Sequence, residues 1–450
     1  MDPQEPTVQP TPRERGPAGQ PPGGTPKWRM TLYTMWVAQL MAMVGFAFVM
    51  PFIPFYIREL GVTEERRVFV WAGLLGTGSG IMMSIVAPMW GWVADRYGRK
   101  LMVQRAMFGG AIILGMMAYV RNVHQLFALR VLQGAFTGTV AASIALVSSV
   151  VPASHLGFSL GLMQMSVFTG NSLGPLVGGA VAEKYGYRMP FLVTGALLFS
   201  AGLLVLFGAK ERFRRPSPEE HRAAGSIRDI LAGPGVLVLL CVYTLTNLSG
   251  SLVGPIFPLF VEQLDGAAGR AASLTGVIMA VTGISSAIAA IVIGRMSDRL
   301  GHKSVFVICT ALTGLTCLPQ AAAHTVTQML VIRAIFGIGA GGMAPAMNAM
   351  VASMVPRNRL GQAYGITTTF SALGWAVGPM IGGWAAAALG LRVPFVITGV
   401  MLMLLAGVAQ KGVRGPGAAN ETAAALTPPA PAVAPASITW QEATDVLEAD

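Results

Sequence analysis

Two arginines, Arg130 and Arg333, lie inside long apolar segments of the chain, where charged side chains are rare. A charge at the centre of a bilayer costs at least ~2.5–3.5 kcal/mol unless it faces a cavity or a partner. Gln133 and Thr137 share a helical face with Arg130 and would continue a polar stripe. The alternative is that Arg130 reaches the membrane surface or only pins helices together. Arg333 has no such glutamine after it, which favours a structural role for this second arginine.

A charged loop at 91–100 occurs again at 294–303, with its Gly, Asp and Lys positions 203 residues apart. Its glycines let two helices approach closely and turn tightly. Its carboxylate can accept hydrogen bonds from a neighbouring helix N-terminus, and its basic side chains can pair with acids or lipid phosphates. The alternative is a basic turn with no further role. The candidate residues are Gly91, Asp95, Arg96, Gly98, Arg99 and Lys100, and in the second copy Asp298, Arg299 and Lys303.

Membrane-spanning helices must position these residues. Charged residues make up 11% of the chain and hydrophobic residues 53%, whereas soluble domains carry about 25% charged residues. Each apolar segment suits a helix of about 20 residues, the length that crosses a bilayer. The predicted fold class is therefore all-α integral membrane, with twelve transmembrane helices at 31–56, 68–93, 101–120, 125–151, 157–182, 189–208, 235–261, 272–295, 304–322, 327–354, 361–388 and 392–409.

The chain consists of two homologous halves. The charged-loop positions recur after 203 residues, whereas Pro51 and Pro54 recur after 204 as Pro255 and Pro258. Parallel repeats of this kind are typical of some membrane transporters. The predicted organisation is a disordered cytoplasmic tail at 1–30, a six-helix bundle at 31–208, a cytoplasmic linker at 209–234, a second six-helix bundle at 235–409 and a disordered cytoplasmic tail at 410–450.

Lys and Arg residues are distributed unevenly between the two predicted sides of the membrane. With both termini in the cytoplasm, 21 of the 31 fall on that side and 8 on the other, as the positive-inside rule favours. The net charge of +11 reflects this bias and requires no nucleic-acid partner. The three cysteines fall within predicted helices, where we expect small buried residues rather than disulfides.

The paired loops resemble the signature loop of the major facilitator superfamily, and the resemblance covers roughly residues 30–410. It implies a latch that holds the two halves together on the cytoplasmic side when the cavity faces outward. Arg130-Val-Leu-Gln133 resembles the fourth-helix motif of that family, whose arginine is linked to proton transfer. Many proton-coupled exporters also carry an embedded carboxylate, but here the first helix has Gln39. We therefore hypothesise that Asp95, with Arg130 and Gln133, couples transport to protons.

A Gly- and Pro-rich motif in the fifth predicted helix resembles the antiporter signature of the family, which is associated with export. Small residues four apart form a ridge for backbone contact, and the proline permits a bend. Ordinary helix packing is the alternative. The segments at 48–56 and 90–96 further resemble the twelve-span drug/proton antiporters. The motif comprises Gly170, Gly174, Pro175, Gly178 and Gly179, with Gly378 and Pro379 in the second half.

Polar and aromatic side chains on the inner helices could line a substrate cavity. Methionine thioethers repack easily and, with aromatic rings and neutral dipoles, suit varied amphipathic molecules. Any single methionine fits a lipid-facing position equally well. Since no embedded acid is available to a cation, neutral or anionic substrates are favoured. The predicted lining residues are Gln39, Met43, Phe46, Asn171, Tyr243, Asn247, Met343, Met347, Asn348, Tyr364, Thr368, Ser371 and Trp375.

These features predict an exporter of small amphipathic solutes that works by proton antiport and alternating access. The alternatives are an importer of a sugar or organic acid and a non-transporting membrane sensor. No nucleophile–base or metal-ligand motif indicates an enzyme, and no cofactor or metal is expected. The expected partners are an amphipathic small molecule, protons and membrane lipids. A monomer is expected, and the resemblance implies the bacterial inner membrane.

Overall fold

A computed structural model describes residues 27–136, 138–152, 155–211, 236–267, 269–354 and 360–412. These residues are almost entirely helical, and they contain one isolated bridge, between Asp265 and Thr325. Most residues of the predicted tails and linker lie outside the described ranges. The side chains of Asp95, Asp298 and Tyr364 are outside them as well.

The described chain forms twelve helical units of span length, and eleven of them are long and apolar enough to cross a membrane. α7, the fifth unit, is not among the eleven, although it is one continuous helix. The predicted all-α membrane fold is confirmed. The first half contains α1 (Lys27–Val49), a 3-10 turn (Met50–Phe52), α2 (Ile53–Glu59), α3 (Glu65–Tyr97), α4 (Arg99–Met117), α5 (Val123–Phe136), α6 (Thr139–Val150), α7 (Leu156–Tyr185) and α8 (Met189–Gly208). The second half contains α9 (Val236–Leu252), α10 (Phe257–Glu262), α11 (Ala271–Leu300), α12 (His302–Ala321), α13 (Val326–Met354), α14 (Leu360–Leu389) and α15 (Val393–Gly412).

Proline interrupts the first helical unit of each half at matched positions. The turn between α1 and α2 contains Pro51, and the turn between α9 and α10 contains Pro255. Proline lacks the N–H that the helix ladder needs. The fourth unit is interrupted too, because Gly138, at φ +114°, directly precedes α6. The sequence predicted one membrane-spanning segment over 125–151, and Val123–Val150 forms one candidate span that contains this interruption.

The two halves contact each other mainly through two helix pairs, α3 with α14 and α7 with α11. Glycines bring the backbones together: a Cβ at Gly73 would lie 2.6 Å from the Pro379 carbonyl oxygen, and one at Gly276 would clash with the Pro175 carbonyl. Because both glycines and both prolines are repeat-related, the interface has approximate two-fold symmetry. Repeat-related contacts extend it, from Phe69 with Gly383 and Ala272 with Gly179 to Gly80 with Ala376 and Gly283 with Ser172.

The halves meet along only the first part of α3 and α11. The glycine contacts end at Gly80 and Gly283, and both helices continue for several turns beyond them. Ile85 and Ile288, which are also repeat-related, are exposed. The molecule is therefore open at the end that carries the two charged loops and closed at the opposite end.

Replacing Gly276 by valine should shift the molecule away from this closed arrangement. The added side chain would meet the Pro175 carbonyl across the interface, and backbone cannot yield as a flexible side chain can. Spin labels at the exposed Thr63 and Gln263 would report longer distances at the closed end. Gly407→Val is the control, because a Cβ at Gly407 meets nothing within 4 Å. Identical distance distributions in the two variants would contradict the prediction.

Candidate functional site

A hydrogen-bonded cluster of polar side chains joins α9, α13 and α14. Tyr243 donates its hydroxyl to the Asn348 side-chain oxygen at 2.8 Å. Asn247 donates to the Ser371 hydroxyl at 3.2 Å and accepts the Trp375 indole N–H at 2.9 Å. The sequence predicted all five as cavity residues, and the structure brings them together. Since these groups are neutral dipoles, they can exchange hydrogen bonds with a ligand without leaving a buried charge.

A cavity of about 370 Å³ lies inside the second half, among α9 to α15. Its volume falls within the range of small-molecule sites, about 300–1,000 Å³. Of the predicted residues, Asn247, Met343, Met347 and Trp375 line it. Arg333, for which the sequence favoured a structural role, lines it as well. The cavity thus combines two residues of the polar cluster, Asn247 and Trp375, with methionines and one cation.

The predicted cavity residues of the first half do not line this cavity. Gln39 is fully buried, and neither atom of its amide group has a hydrogen-bond partner among the described residues. Met43 packs against the glycine ridge of α7, and Phe46 lies on the same helix, partly buried. Asn171 is exposed, as is Thr368 in the second half. A role in substrate binding stays a prediction for these five residues.

Arg130, on α5, is only 6% exposed and donates a hydrogen bond to the Gln133 side-chain oxygen. Its Nε has no partner within the described ranges. Gly134 packs directly on the backbone of Ser79, so α5 and α3 touch at backbone distance. The predicted polar pair is therefore formed, while Thr137 lies outside the described residues. The electrostatic energy of a buried guanidinium with a neutral partner changes strongly when a negative charge is nearby.

Arg333, the repeat-related arginine on α13, has different neighbours. Its guanidinium lies 4.0 Å from the centre of the Phe257 ring and 5.0 Å from that of Phe336. A third arginine, Arg105 of α4, stacks on the Trp90 ring at 3.7 Å. Arg105 lies in the second turn of α4, close to the first charged loop.

Glu211, which the sequence did not single out, anchors the first charged loop inside its own half. Gly98 turns between α3 and α4 at φ +102°, a value that glycine adopts without strain. The Glu211 carboxylate accepts the backbone N–H groups of Arg99 and Lys100, at 2.9 and 2.8 Å. A carboxylate at a helix N-terminus satisfies unpaired donors and opposes the positive end of the helix dipole. We expected such a contact from Asp95, whose side chain is outside the described part.

The basic side chains of this loop donate to backbone carbonyls of neighbouring helices. Arg99 donates to the Ala145 carbonyl inside α6 at 3.0 Å. Lys100 donates to two carbonyls at the end of α8, at 2.8 and 2.7 Å, where cations are favoured because the last carbonyls of a helix lack partners. Arg96 lies over two aromatic rings of its own helix. In the described part of the chain, no hydrogen bond from this loop reaches the second half.

The second charged loop repeats the turn and differs in its side-chain contacts. Gly301 has φ +86°, and the Nδ1 atom of His302 lies 2.8 Å from a serine hydroxyl of α11. Arg299 is exposed and Lys303 partly exposed, while the Asp298 side chain is not described. A latch between the halves stays a prediction for both copies.

The Gly- and Pro-rich motif of α7 contacts two helices at once. One ridge of glycines lies against α1 of the same half, where a Cβ would meet backbone, and the next positions lie against α11 of the other half. α7 therefore contributes both to packing within its own half and to the interface between the halves. Gly170, Gly174 and Gly178 form the ridge, Pro175 and Gly179 face α11, and in the second copy Gly378 faces α9 and Pro379 faces α3.

Charged side chains cluster at the closed end of the molecule. Arg58 of α2 and Glu262 of α10 form an ion pair at 2.6 Å between the halves. They are 204 residues apart and so occupy matched positions with opposite charge. Arg188 pairs with Glu59 at 3.0 Å within the first half. Burial first, and the Glu262 carboxylate second, raise the pKa of the Tyr187 phenol, which stays neutral and able to donate.

The described residues contain no group of three or more His, Cys, Asp or Glu side chains that could hold a metal ion. All three cysteines are free. Cys309 and Cys317 are buried as expected, but Cys241 is exposed, so the expectation of burial was wrong for that residue.

Comparison with known proteins decides the family. The family model described as Major Facilitator Superfamily matches residues 35–272 and 239–442, most of the chain. The chain belongs to the major facilitator superfamily. The resemblance predicted from the paired loops is thereby confirmed, and the chain is a membrane transporter rather than an enzyme.

Similar proteins support this assignment along nearly the full length. Multidrug resistance protein MdtG of Citrobacter koseri is 31% identical over 377 residues, 83% of this chain and 93% of that protein. Its counterpart in Rahnella sp. (strain Y9602) is 29% identical over 381 residues, 84% of this chain and 92% of that protein. A bacterial homologue of the human lysosomal transporter Spinster, solved inward-facing and unoccupied, has a TM-score of 0.70 at 16% identity, covering 87% of this chain and 98% of that one. The human organic anion transporter MFSD10 has a TM-score of 0.65 at 17% identity, covering 87% and 100%. These two structures show the superfamily fold alone.

Two interactions at the ends of the molecule were not predicted from the sequence, although each has a signal in it. Glu211 is the first acid after the sixth predicted helix, close enough in sequence to reach a neighbouring helix end. The repeat register alone matches Arg58 with Glu262, two positions of opposite charge beside matched prolines. Applying the 204-residue register to every charged residue would have found the second pair.

Replacing Glu211 by alanine should lower the thermal unfolding midpoint of the purified protein. The change leaves two N–H donors at the start of α4 without their carboxylate, which costs about 1 kcal/mol for a helix cap. Glu64→Ala is the control, because Glu64 makes an exposed ion pair with Arg67 and such pairs contribute little. Equal midpoints for the two variants would show that the cap adds no stability.

Proposed function

We propose that this superfamily member exports small amphipathic molecules, drugs among them, in exchange for protons. The observation that carries the proposal is the cavity in which neutral dipoles such as Asn247, methionines and aromatic rings meet. Such a surface adapts to varied ligands because thioethers repack and dipoles rotate. Similarity to proteins named multidrug resistance protein MdtG supports the same reading.

Alternating access would use the two-fold interface. With both termini in the cytoplasm, as the charge distribution favours, the open end faces the cytoplasm and the closed end faces outward. Rocking of the halves about the glycine contacts would open the closed end and bring the two charged loops together. We place the protein in a bacterial inner membrane, working as a monomer among membrane lipids.

Proton coupling is assigned to Arg130, Gln133 and Asp95. The buried Arg130 guanidinium has one neutral partner in the described part of the chain, so a proton leaving or joining a nearby acid would change its electrostatic energy strongly. Asp95 is the acid chosen on sequence grounds, at the cytoplasmic end of α3. α3, the helix that carries Asp95, touches α5 where Ser79 packs on Gly134, and this contact links the two helices that carry the coupling residues.

Everted vesicles containing the protein should accumulate a fluorescent amphipathic dye when a pH gradient is imposed, and a protonophore should abolish the accumulation. Arg130→Ala and Asp95→Asn should each reduce the rate about tenfold or more at normal membrane levels, while Arg130→Lys keeps part of it. Export that survives Arg130→Ala would leave the function and overturn the coupling assignment. Concentration of one small solute in the import direction, with no dye export, would favour an importer instead.

The ion pair between Arg58 and Glu262 should stabilise the state that is closed on the outer side. Glu262→Gln removes one partner, and a pair worth about 1 kcal/mol shifts a two-state equilibrium about fivefold. Spin labels at Thr63 and Gln263 would report a larger separated population. The charge-swapped double variant Arg58→Glu/Glu262→Arg should restore most of the short distances. Glu64→Gln breaks an ion pair within one half. If it had the same effect, a stabilising role of the Arg58–Glu262 pair would be rejected.

A further inference from the structure

The cavity in the second half holds a cation with no anion beside it. Arg333 borders the cavity, and no acidic residue that the structure describes forms an ion pair with it. Its Nε has no hydrogen-bond partner in that same part of the chain. Because an uncompensated charge at membrane depth is costly, an arginine in this position implies a partner that enters the cavity.

Two aromatic rings lie close to this guanidinium. Phe257 and Phe336 lie within stacking distance of its central carbon. Such rings attract the cation through their π electrons. The N–H donors, however, lie in the guanidinium plane, where they can bind both oxygens of an acid group. The rings therefore hold the guanidinium of Arg333 in place and leave it hydrogen-bond donors for a ligand.

The repeat-related arginine of the first half has a hydrogen-bonding partner within the protein. Arg130 is 6% exposed and hydrogen-bonded to Gln133. The register of 203 residues places Phe336 where the first half has Gln133. The second half thus replaces the hydrogen-bonding partner with a ring, and its arginine faces a cavity instead.

The rest of the cavity wall fits a molecule with one polar and one apolar end. Thr398 is 4% exposed, and its hydroxyl has no partner within the described ranges. Gln320, 1% exposed, is held in place by donating its amide to the Thr316 carbonyl at 3.1 Å. Phe395 and Trp375 supply apolar surface. A volume of about 370 Å³ leaves room for an aromatic body beside the arginine.

We propose that Arg333 binds the acid group of an amphipathic organic anion in this cavity, with Thr398 as a second donor. The aromatic and methionine side chains surround the apolar body of the ligand. This inference rests on the proposed export function, because it names the substrate class of that cavity. Neutral amphipathic molecules of the same shape would enter it with lower affinity.

Matched probes, 2-naphthoate and its methyl ester, test the proposal on the full-length protein in lipid nanodiscs, with empty nanodiscs subtracted. The wild type should bind the acid about tenfold more tightly than the ester. Arg333→Met should reduce this ratio to about one and keep ester affinity within about twofold. Arg333→Lys should keep part of the preference, because it retains the charge without the planar fork. Arg105→Met, which removes a stacked arginine of the other half, should keep the wild-type ratio.

Equal affinity of the wild type for acid and ester, or an unchanged ratio in folded Arg333→Met, would overturn the assignment. Should Arg333→Met fail to fold, Thr398→Val provides the test, with the acid weakened about threefold or more and the ester unaffected. The binding measurement needs no proton gradient. Loss of gradient-driven dye export with an intact acid preference would therefore count against the proposed export and not against this site.

Discussion

Backbone contact between the halves is the constraint on which the rest of this structure depends. Lipid supplies no hydrophobic force between membrane helices, so their association relies on close packing. Here glycine at Gly73, Gly276, Gly179 and Gly383 removes the side chains that would keep α3 from α14 and α7 from α11. The contacts occupy one end of these helices only, and the open end of the molecule follows directly from where they stop.

The lipid environment also explains where the charged side chains lie. Carboxylates sit at helix ends, where Glu211 meets backbone N–H groups and Glu262 meets Arg58. Water is close at such positions, and at the start of α4 the helix dipole also favours the Glu211 carboxylate. Inside the spans the ionised groups described are arginines, which can be stacked on rings or bound to a neutral amide. Guanidinium tolerates this because it is weakly hydrated for a cation.

Much of this architecture could be predicted from the sequence. The parts that could not be predicted have a common cause. Helix length, the repeat and the glycine ridge of α7 follow from periodicity and residue size, which are local properties. The cluster around Asn247 was predicted because polar residues on apolar helices face inward. The break at Gly138 was missed because one glycine inside an apolar run is compatible with a continuous helix. The cap by Glu211 and the neighbours of Arg333 depend on distant helices, so no local pattern contains them.

The two-fold repeat distinguishes residues that hold the halves together from residues with other roles, which neither half alone could do as clearly. The glycines and prolines at the closest contacts between the halves are the same in both copies, as Pro175 and Pro379 illustrate. Other matched positions have diverged: Arg58 opposes Glu262, and Gln133 corresponds to Phe336. A like-charged pair at the first would repel across the axis, whereas opposite charges attract. The second divergence frees an arginine from its partner. Symmetry thus supplies the backbone contacts between the halves, and departures from symmetry place an ion pair at the closed end and an arginine beside the cavity.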